Sequence, residues 1–275
     1  MSFGGLLRAM AYRLFRSRAS MVLLCALAAF VVGGAVSLRV IGADGSAAAS
    51  ISETSSDISL GLAVLFPGTG GIDLVRACGV LFVRGSAVSM IVSSLLGLLF
   101  ASDLKCGFVK NVAQGRNARV RYALAACALA LAVSALAVLG GVVVSLASLV
   151  SLGFAVSVPG FPELLSWAAE VWLFVSAYAL AATLAAILSG SEAFSVVFGL
   201  MLGGGVVGKL LCSVAALLAG SPGSAGALFS GSLAAAVSRL GGGSVLPWVA
   251  MGPAIVSIVS LAALVVVAVR RKSLA

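Results

Sequence analysis

Six long apolar stretches divide the sequence, and this feature restricts the fold more than any other. They cover residues 20–38, 85–102, 122–144, 165–188, 194–218 and 248–269. Each is close to the ~20 residues that an α-helix needs to cross a bilayer. Because they are continuous apolar runs, they predict membrane-spanning helices and not the alternating strands of a transmembrane barrel. We therefore expect an all-α integral membrane protein, with six transmembrane helices in a single domain over residues 1–275.

The composition excludes a soluble globular protein. Of the 275 residues, 62% are hydrophobic and 9% are charged, whereas charged residues make up about a quarter of a soluble domain. The chain contains no histidine, which excludes catalytic histidine dyads and imidazole proton relays. We predict no catalytic residues, no metal site, no cofactor bound by this chain and no nucleic-acid partner. We therefore use the basic residues behind the formal net charge of +9 to predict the membrane topology.

The basic residues predict the orientation, because Lys and Arg concentrate in cytoplasmic segments. With a cytoplasmic N-terminus, 12 of the 17 basic residues lie on the inner side. These twelve are Arg8, Arg13, Arg16, Arg18, Lys105, Lys110, Arg116, Arg119, Arg121, Arg270, Arg271 and Lys272. The three tryptophans, Trp167, Trp172 and Trp248, fall near outer span ends, which is typical of an interfacial aromatic belt. We predict an N-in, C-in topology with outer loops at 39–84 and 219–247.

Residues 1–18 predict an amphipathic interfacial helix on the inner leaflet. Phe3, Leu6, Leu7, Met10 and Leu14 recur at helical spacing among four arginines, a pattern typical of helices that lie on a lipid bilayer. A basic segment before an apolar run is also typical of a signal peptide. The length and helical patterning of this basic segment favour a first span that is retained as an anchor.

One short motif suggests nucleotide binding, but its context argues against that function. Residues 203–209 (GGGVVGK) have the spacing of a phosphate-binding loop. Position 210 is Leu, where such a loop needs Ser or Thr for magnesium, and the motif lies inside an apolar span. The pairs Gly199/Gly203 and Gly204/Gly208 instead predict close packing between helices.

Lys209 and Glu170 are candidate polar residues of a substrate pathway. Lys209 lies ~12 Å below the outer end of the fifth span at ~1.5 Å per residue, where an unpaired cation costs ~3 kcal/mol. It could extend its side chain to the outer interface, or face a pathway and pair with Glu170. Both interpretations stay open. No acidic relay is visible within the spans, which argues against a secondary carrier.

The inner loop, residues 103–121, carries the most informative motif. Asp103, Gly107, Val109, Lys110, Asn111, Gly115 and Arg119 resemble the signature D-x(3)-G-x-[IV]-K-N…G…R that follows the second span of type-2 ABC exporter permeases. This family includes the permeases of bacteriocin-immunity and antibiotic-export systems. The outline of the chain is similar as well: an interfacial helix, six spans and a large first outer loop.

The resemblance implies a function for this loop and for the chain. Residues 103–114 would form the coupling helix that contacts a separate ATPase subunit, with Phe108 and Val109 on its apolar face. ATP and magnesium would bind to that subunit, and this chain would hydrolyse nothing. It would form a pathway with a second permease, identical or paralogous, in the plasma membrane of a bacterium. The export substrate would be a peptide, an antibiotic or another amphipathic compound.

Two other functions remain as alternatives to transport driven by an ATPase. One is a membrane immunity or scaffold protein that binds a peptide or assembles a complex without transport. The other is a self-contained secondary carrier, for which the spans lack buried acids.

Overall fold

The computed structural model describes residues 3–43, 72–84, 86–109, 116–218, 236–237, 240 and 248–271. Almost all of them are helical. In chain order the elements are α1 (Phe3–Arg16), α2 (Arg18–Ala43), β1 (Ile72–Asp73), α3 (Leu74–Cys78), α4 (Ala87–Lys105), α5 (Arg116–Ser151), β2 (Val156–Ser157), α6 (Phe161–Ser189), α7 (Glu192–Gly203), α8 (Val206–Leu218) and α9 (Trp248–Arg271). Six π-helical residues, Gly79–Arg84, continue α3.

The helices have the length and apolarity of membrane spans. Among the residues that the structure describes, α2, α4, α5, α6 and α9 are each long and apolar enough to cross a bilayer. The pair α7 and α8 is a sixth candidate if it is counted as one bent span. The prediction of an all-α membrane protein is therefore confirmed in its class, while the N-in, C-in orientation stays a prediction.

Four of the predicted spans are shorter than the helices that contain them, namely 20–38 in α2, 122–144 in α5, 165–188 in α6 and 248–269 in α9. The stretch 122–144 lies within the 36 residues of α5, and 165–188 lies within the 29 residues of α6. Hydropathy marks the part of a helix that is apolar, whereas local backbone chemistry determines where the helix ends. In α6, Pro162 occupies the first turn and Gly190 ends the helix with a φ of +66°, as is common at the two helix termini.

Helix α4 lies at the centre of the bundle, where it packs against α2, α5, α6 and α7. Its contact with α7 is close because that helix presents glycines. A Cβ atom added to Gly203 would lie 2.5 Å from the backbone nitrogen of Met90, and one added to Gly199 would lie 2.8 Å from that of Ser94. No larger residue fits at either position without moving the helices apart. The predicted packing role of the Gly199/Gly203 pair is confirmed.

The predicted fifth span, 194–218, is bent and not continuous. Helices α7 and α8 meet at 74°, at the consecutive glycines 203–205. Gly205 has a φ of +74°, in the left-handed region that glycine enters readily. The helices have 12 and 13 residues, each fewer than the ~20 that a straight crossing requires.

The predicted outer loop 39–84 contains folded structure near its C-terminal end. β1 pairs in parallel with β2, with Ile72 opposite Val156. The helical turns 74–83 that follow are mostly buried, and the ring of Phe82 lies edge-on to Trp167 at 6.2 Å between ring centres. This segment is too short to span a membrane, so hydropathy alone does not distinguish it from a loop. The apolar patch at 58–66 lies outside the described residues.

The tryptophans of α6 differ from the predicted interfacial belt. Trp167 is fully buried, and its indole N–H donates to the carbonyl oxygen of Leu240 at 3.1 Å. Trp172 is partly buried and donates to the carbonyl oxygen of Leu131 in α5 at 2.9 Å. Both indoles therefore connect segments within the protein, which is how buried Trp N–H groups are usually satisfied. The side chain of Trp248 lies outside the described residues.

Candidate functional site

Charged side chains of α1, α4 and α7 meet where α4 ends and α7 begins. We call this region the charged end and define it by Arg13, Asp103, Lys105 and Glu192. Lys105, the last residue of α4, has its Nζ 3.5 Å from Oε1 of Glu192, the first residue of α7. Both of these side chains are solvent-accessible, at 70% and 36%. This pair is therefore a surface ion pair of small energetic value.

The ion pair between Asp103 and Arg13 is different, because the carboxylate is buried. Oδ1 of Asp103 lies 2.6 Å from Nη1 of Arg13, and the two side chains are 2% and 33% exposed. A carboxylate with so little access to water needs a nearby cation, since an uncompensated buried charge is strongly destabilising. Arg13 belongs to α1 and Asp103 to the last turn of α4. The pair therefore fixes the N-terminal helix to the central helix.

Two aromatic side chains complete this cluster. The guanidinium carbon of Arg13 lies 4.5 Å from the centre of the Phe108 ring, a cation–π contact. The hydroxyl group of Tyr122 approaches the carboxyl group of Asp103 from α5, and Tyr122 is 1% exposed. The four residues thus join α1, α4, the segment after α4 and α5 at one point.

The sequence of α1 explains why Arg13 reaches this position. Leu6, Met10 and Leu14 are spaced four residues apart and are 3%, 1% and 3% exposed, so they form one buried stripe along the helix. Arg13 follows Met10 by three residues and borders that stripe. The predicted amphipathic helix is therefore present, and α1 packs against α2 and α5. Its placement on the inner leaflet stays a prediction.

The motif residues after α4 have distinct local roles. Gly107 has a φ of +70°, so this position favours glycine on conformational grounds. The amide groups of Cys106 and Gly107 donate to the carbonyl oxygens of Ser102 and Leu104, which ends α4 at the turn. Arg119 lies in the first turn of α5. The motif residues Lys110, Asn111 and Gly115 lie outside the described residues.

The predicted apolar face of the coupling helix is not free to bind a partner. Val109 is 1% exposed and belongs to the core, and Phe108 is partly buried beneath Arg13. The accessible groups here are the side chain of Lys105 and the exposed thiol of Cys106. In the described part of this segment, the accessible surface is therefore formed by the turn itself.

The described residues do not test the predicted contact between the two pathway residues, Glu170 and Lys209. Glu170 is 1% exposed within α6. Lys209 belongs to α8, and its side chain lies outside the described residues. The proposed contact between the two stays a prediction.

The motif did not identify four residues of the site, namely Arg13, Lys105, Tyr122 and Glu192. A signal for Arg13 was present in the sequence. The motif carboxylate follows directly on an apolar span and needs a basic partner if it is buried, and Arg13 is the arginine that borders the apolar stripe of α1 by helical spacing. Tyr122 has no comparable signal, because its proximity to Asp103 depends on the approach of α5 to α4.

Helices and site together define an all-α, multi-pass membrane protein with a buried ion pair at one end of its bundle. Among the described residues, no group of three or more Cys, Asp or Glu side chains is placed to hold a metal ion. Comparison with known proteins finds no matching family model and no curated protein of similar sequence.

Proposed function

We propose that the chain is the permease subunit of an ABC exporter, driven by a separate ATPase subunit in the plasma membrane. A second permease, identical or paralogous, would complete the substrate pathway. The observation that supports this most is the exposed turn at Lys105 and Cys106, which lies within the loop that resembles a coupling helix. The exported compound would be a peptide, an antibiotic or another amphipathic molecule, and the chain itself would hydrolyse no ATP.

A coupling loop has two physical requirements, and the charged end has features that suit both. First, the loop must move the spans when the ATPase moves it. Arg13 contacts both Asp103 and Phe108, so a displacement after α4 would also displace α1. Second, some surface must be accessible to the partner. The turn at Lys105 and Cys106 is exposed and lies within the motif, between Asp103 and Gly107.

The test is co-purification of an ATPase with the tagged chain from its native membrane. Cys106→Asp adds a charge to the exposed turn, and we expect it to remove a Walker-type ATPase from the eluate, because burying an unpaired charge in an interface costs several kcal/mol. Val158→Asp is the matched control, since Val158 is 61% exposed and follows β2, away from the charged end. Val109→Asp is unsuitable, because a charge at this buried position would destabilise the chain itself.

The possible outcomes separate the proposal from its alternatives. Recovery of the ATPase with the unaltered chain and with Val158→Asp, but not with Cys106→Asp, supports a coupling surface at this turn. Equal recovery with both variants would show that the ATPase docks elsewhere. Absence of any ATPase from the eluate of the unaltered chain would refute the permease and favour a membrane scaffold or immunity protein.

A further inference from the structure

A cavity of about 460 Å³ opens between the junction of α1 and α2 on one side and α4 on the other. Its lining combines two kinds of chemistry. Arg13, Arg16 and Arg18 line its basic side, and leucines of α2 and α4, among them Leu95 and Leu98, line its apolar side. A cavity with a cationic corner and an aliphatic wall suits an anionic amphiphile better than a purely polar or purely apolar ligand.

The charges around the cavity do not balance. Arg13 is paired with Asp103, and the lining residue Glu192 is paired with Lys105. Arg16 donates to the hydroxyl group of Tyr12 at 2.6 Å, a neutral partner. In the part of the chain that the structure describes, neither Arg16 nor Arg18 forms an ion pair with a carboxylate. Two positive charges that have no carboxylate partner among the described residues therefore line the cavity.

The helix junction at this corner adds groups that favour an anion. Ser17 separates α1 from α2, and its hydroxyl oxygen accepts a hydrogen bond from the backbone N–H of Ser20 at 3.1 Å. The hydroxyl groups of the two serines lie 2.8 Å apart, and both residues line the cavity. Since α2 has 26 residues, its N-terminus also contributes a partial positive charge to the same corner.

We propose that this cavity binds a membrane phospholipid with an anionic headgroup. Its phosphate lies between Arg16, Arg18 and Ser17, and one acyl chain lies along Leu95 and Leu98. A soluble phosphate compound offers the same anionic group but leaves the leucine wall exposed to water, which is unfavourable. The lipid satisfies both sides of the cavity. This proposal does not depend on a transport function.

The experiment measures phosphatidylglycerol retained by the chain after reconstitution in nanodiscs of phosphatidylcholine and phosphatidylglycerol, by native mass spectrometry. In Arg16→Gln/Arg18→Gln we expect the affinity to fall about fivefold per arginine, and so about 25-fold in total. The matched control is Arg270→Gln/Arg271→Gln, which removes two charges from the last turn of α9. The control is expected to retain the lipid as the unaltered chain does.

A second variant tests the apolar side without changing the charge. Leu98→Trp fills the part of the cavity beside the leucine wall. We expect it to reduce phosphatidylglycerol retention while leaving any binding of inorganic phosphate unchanged. Retention that is equal in all variants would overturn the proposal. Binding of inorganic phosphate without retained lipid would also overturn it, in favour of a soluble phosphate ligand. If the double arginine variant does not fold, as judged by its elution profile, Leu98→Trp alone decides.

Discussion

A double-mutant cycle on Arg13 and Asp103 tests whether their ion pair holds α1 on α4. Arg13→Gln leaves the buried carboxylate of Asp103 without a cation, and breaking a buried pair in this way costs ~3–5 kcal/mol. Arg13 is 33% exposed, so water can approach the pair, and we expect a loss near the lower limit of ~3 kcal/mol. Asp103→Asn leaves a guanidinium that water and the Phe108 ring still stabilise. We expect a smaller loss of ~1 kcal/mol for this variant.

The free energy of unfolding is measured by SDS titration in mixed micelles for both single variants and for the double variant. We expect the double variant to be more stable than the sum of the two losses predicts, with a coupling energy of ~1–3 kcal/mol. The control is the same cycle on Lys105→Met and Glu192→Gln, whose side chains are 70% and 36% exposed. This surface pair should couple by less than ~1 kcal/mol. Additive losses at Arg13 and Asp103 would refute the ion pair as the link between α1 and α4.

Three further predictions follow from the packing and the exposed groups. Gly203→Ala forces α7 away from α4 and should destabilise the chain by ~1–3 kcal/mol in the same titration, whereas Gly252→Ala, with no atom within 4 Å of the added Cβ, should not. Trp167→Phe removes a buried hydrogen bond to a backbone carbonyl and should cost ~1–3 kcal/mol, so an unchanged unfolding curve would contradict the assigned contact. The third prediction uses a variant in which the cysteines within the spans are replaced by Ser. A membrane-impermeant maleimide should not label the exposed Cys106 of this variant in intact cells, and should label it after permeabilisation. Burial raises the pKa of the Cys78 thiol to about 12, so that thiol stays protonated and does not compete for the reagent. Labelling of Cys106 in intact cells would show that the predicted orientation is wrong.

The class of the fold could be predicted because it depends on a local property. Any continuous apolar run of sufficient length forms a helix in a bilayer, since the backbone has no other way to satisfy its hydrogen bonds there. The pair Gly199 and Gly203 was likewise readable, because two glycines four residues apart lie on one helix face whatever the partner helix is. These inferences need no knowledge of which helices are neighbours.

The remaining features depend on contacts between distant segments. The bend after α7 depends on the left-handed conformation of Gly205, whereas glycines at this spacing equally suit a straight, closely packed helix. The burial of Trp167 depends on Leu240 and Phe82, from two other segments. Hydropathy placed this tryptophan near a span end, and that position is consistent with either an interfacial or an internal side chain.

Asp103 can have two roles at once, and a substitution of Asp103 would affect both of them. By resemblance it belongs to a coupling signature, and in the structure it is a buried carboxylate that fixes α1 to α4. A permease and a non-transporting scaffold would both need that second role, so loss of activity in Asp103→Asn would accompany either function. Cys106 is exposed, and no ion pair or hydrogen bond to its side chain is found within the described residues. Loss of ATPase recovery in Cys106→Asp with an unchanged unfolding curve would therefore report on docking alone, because the substitution changes the accessible surface and leaves the buried cluster intact.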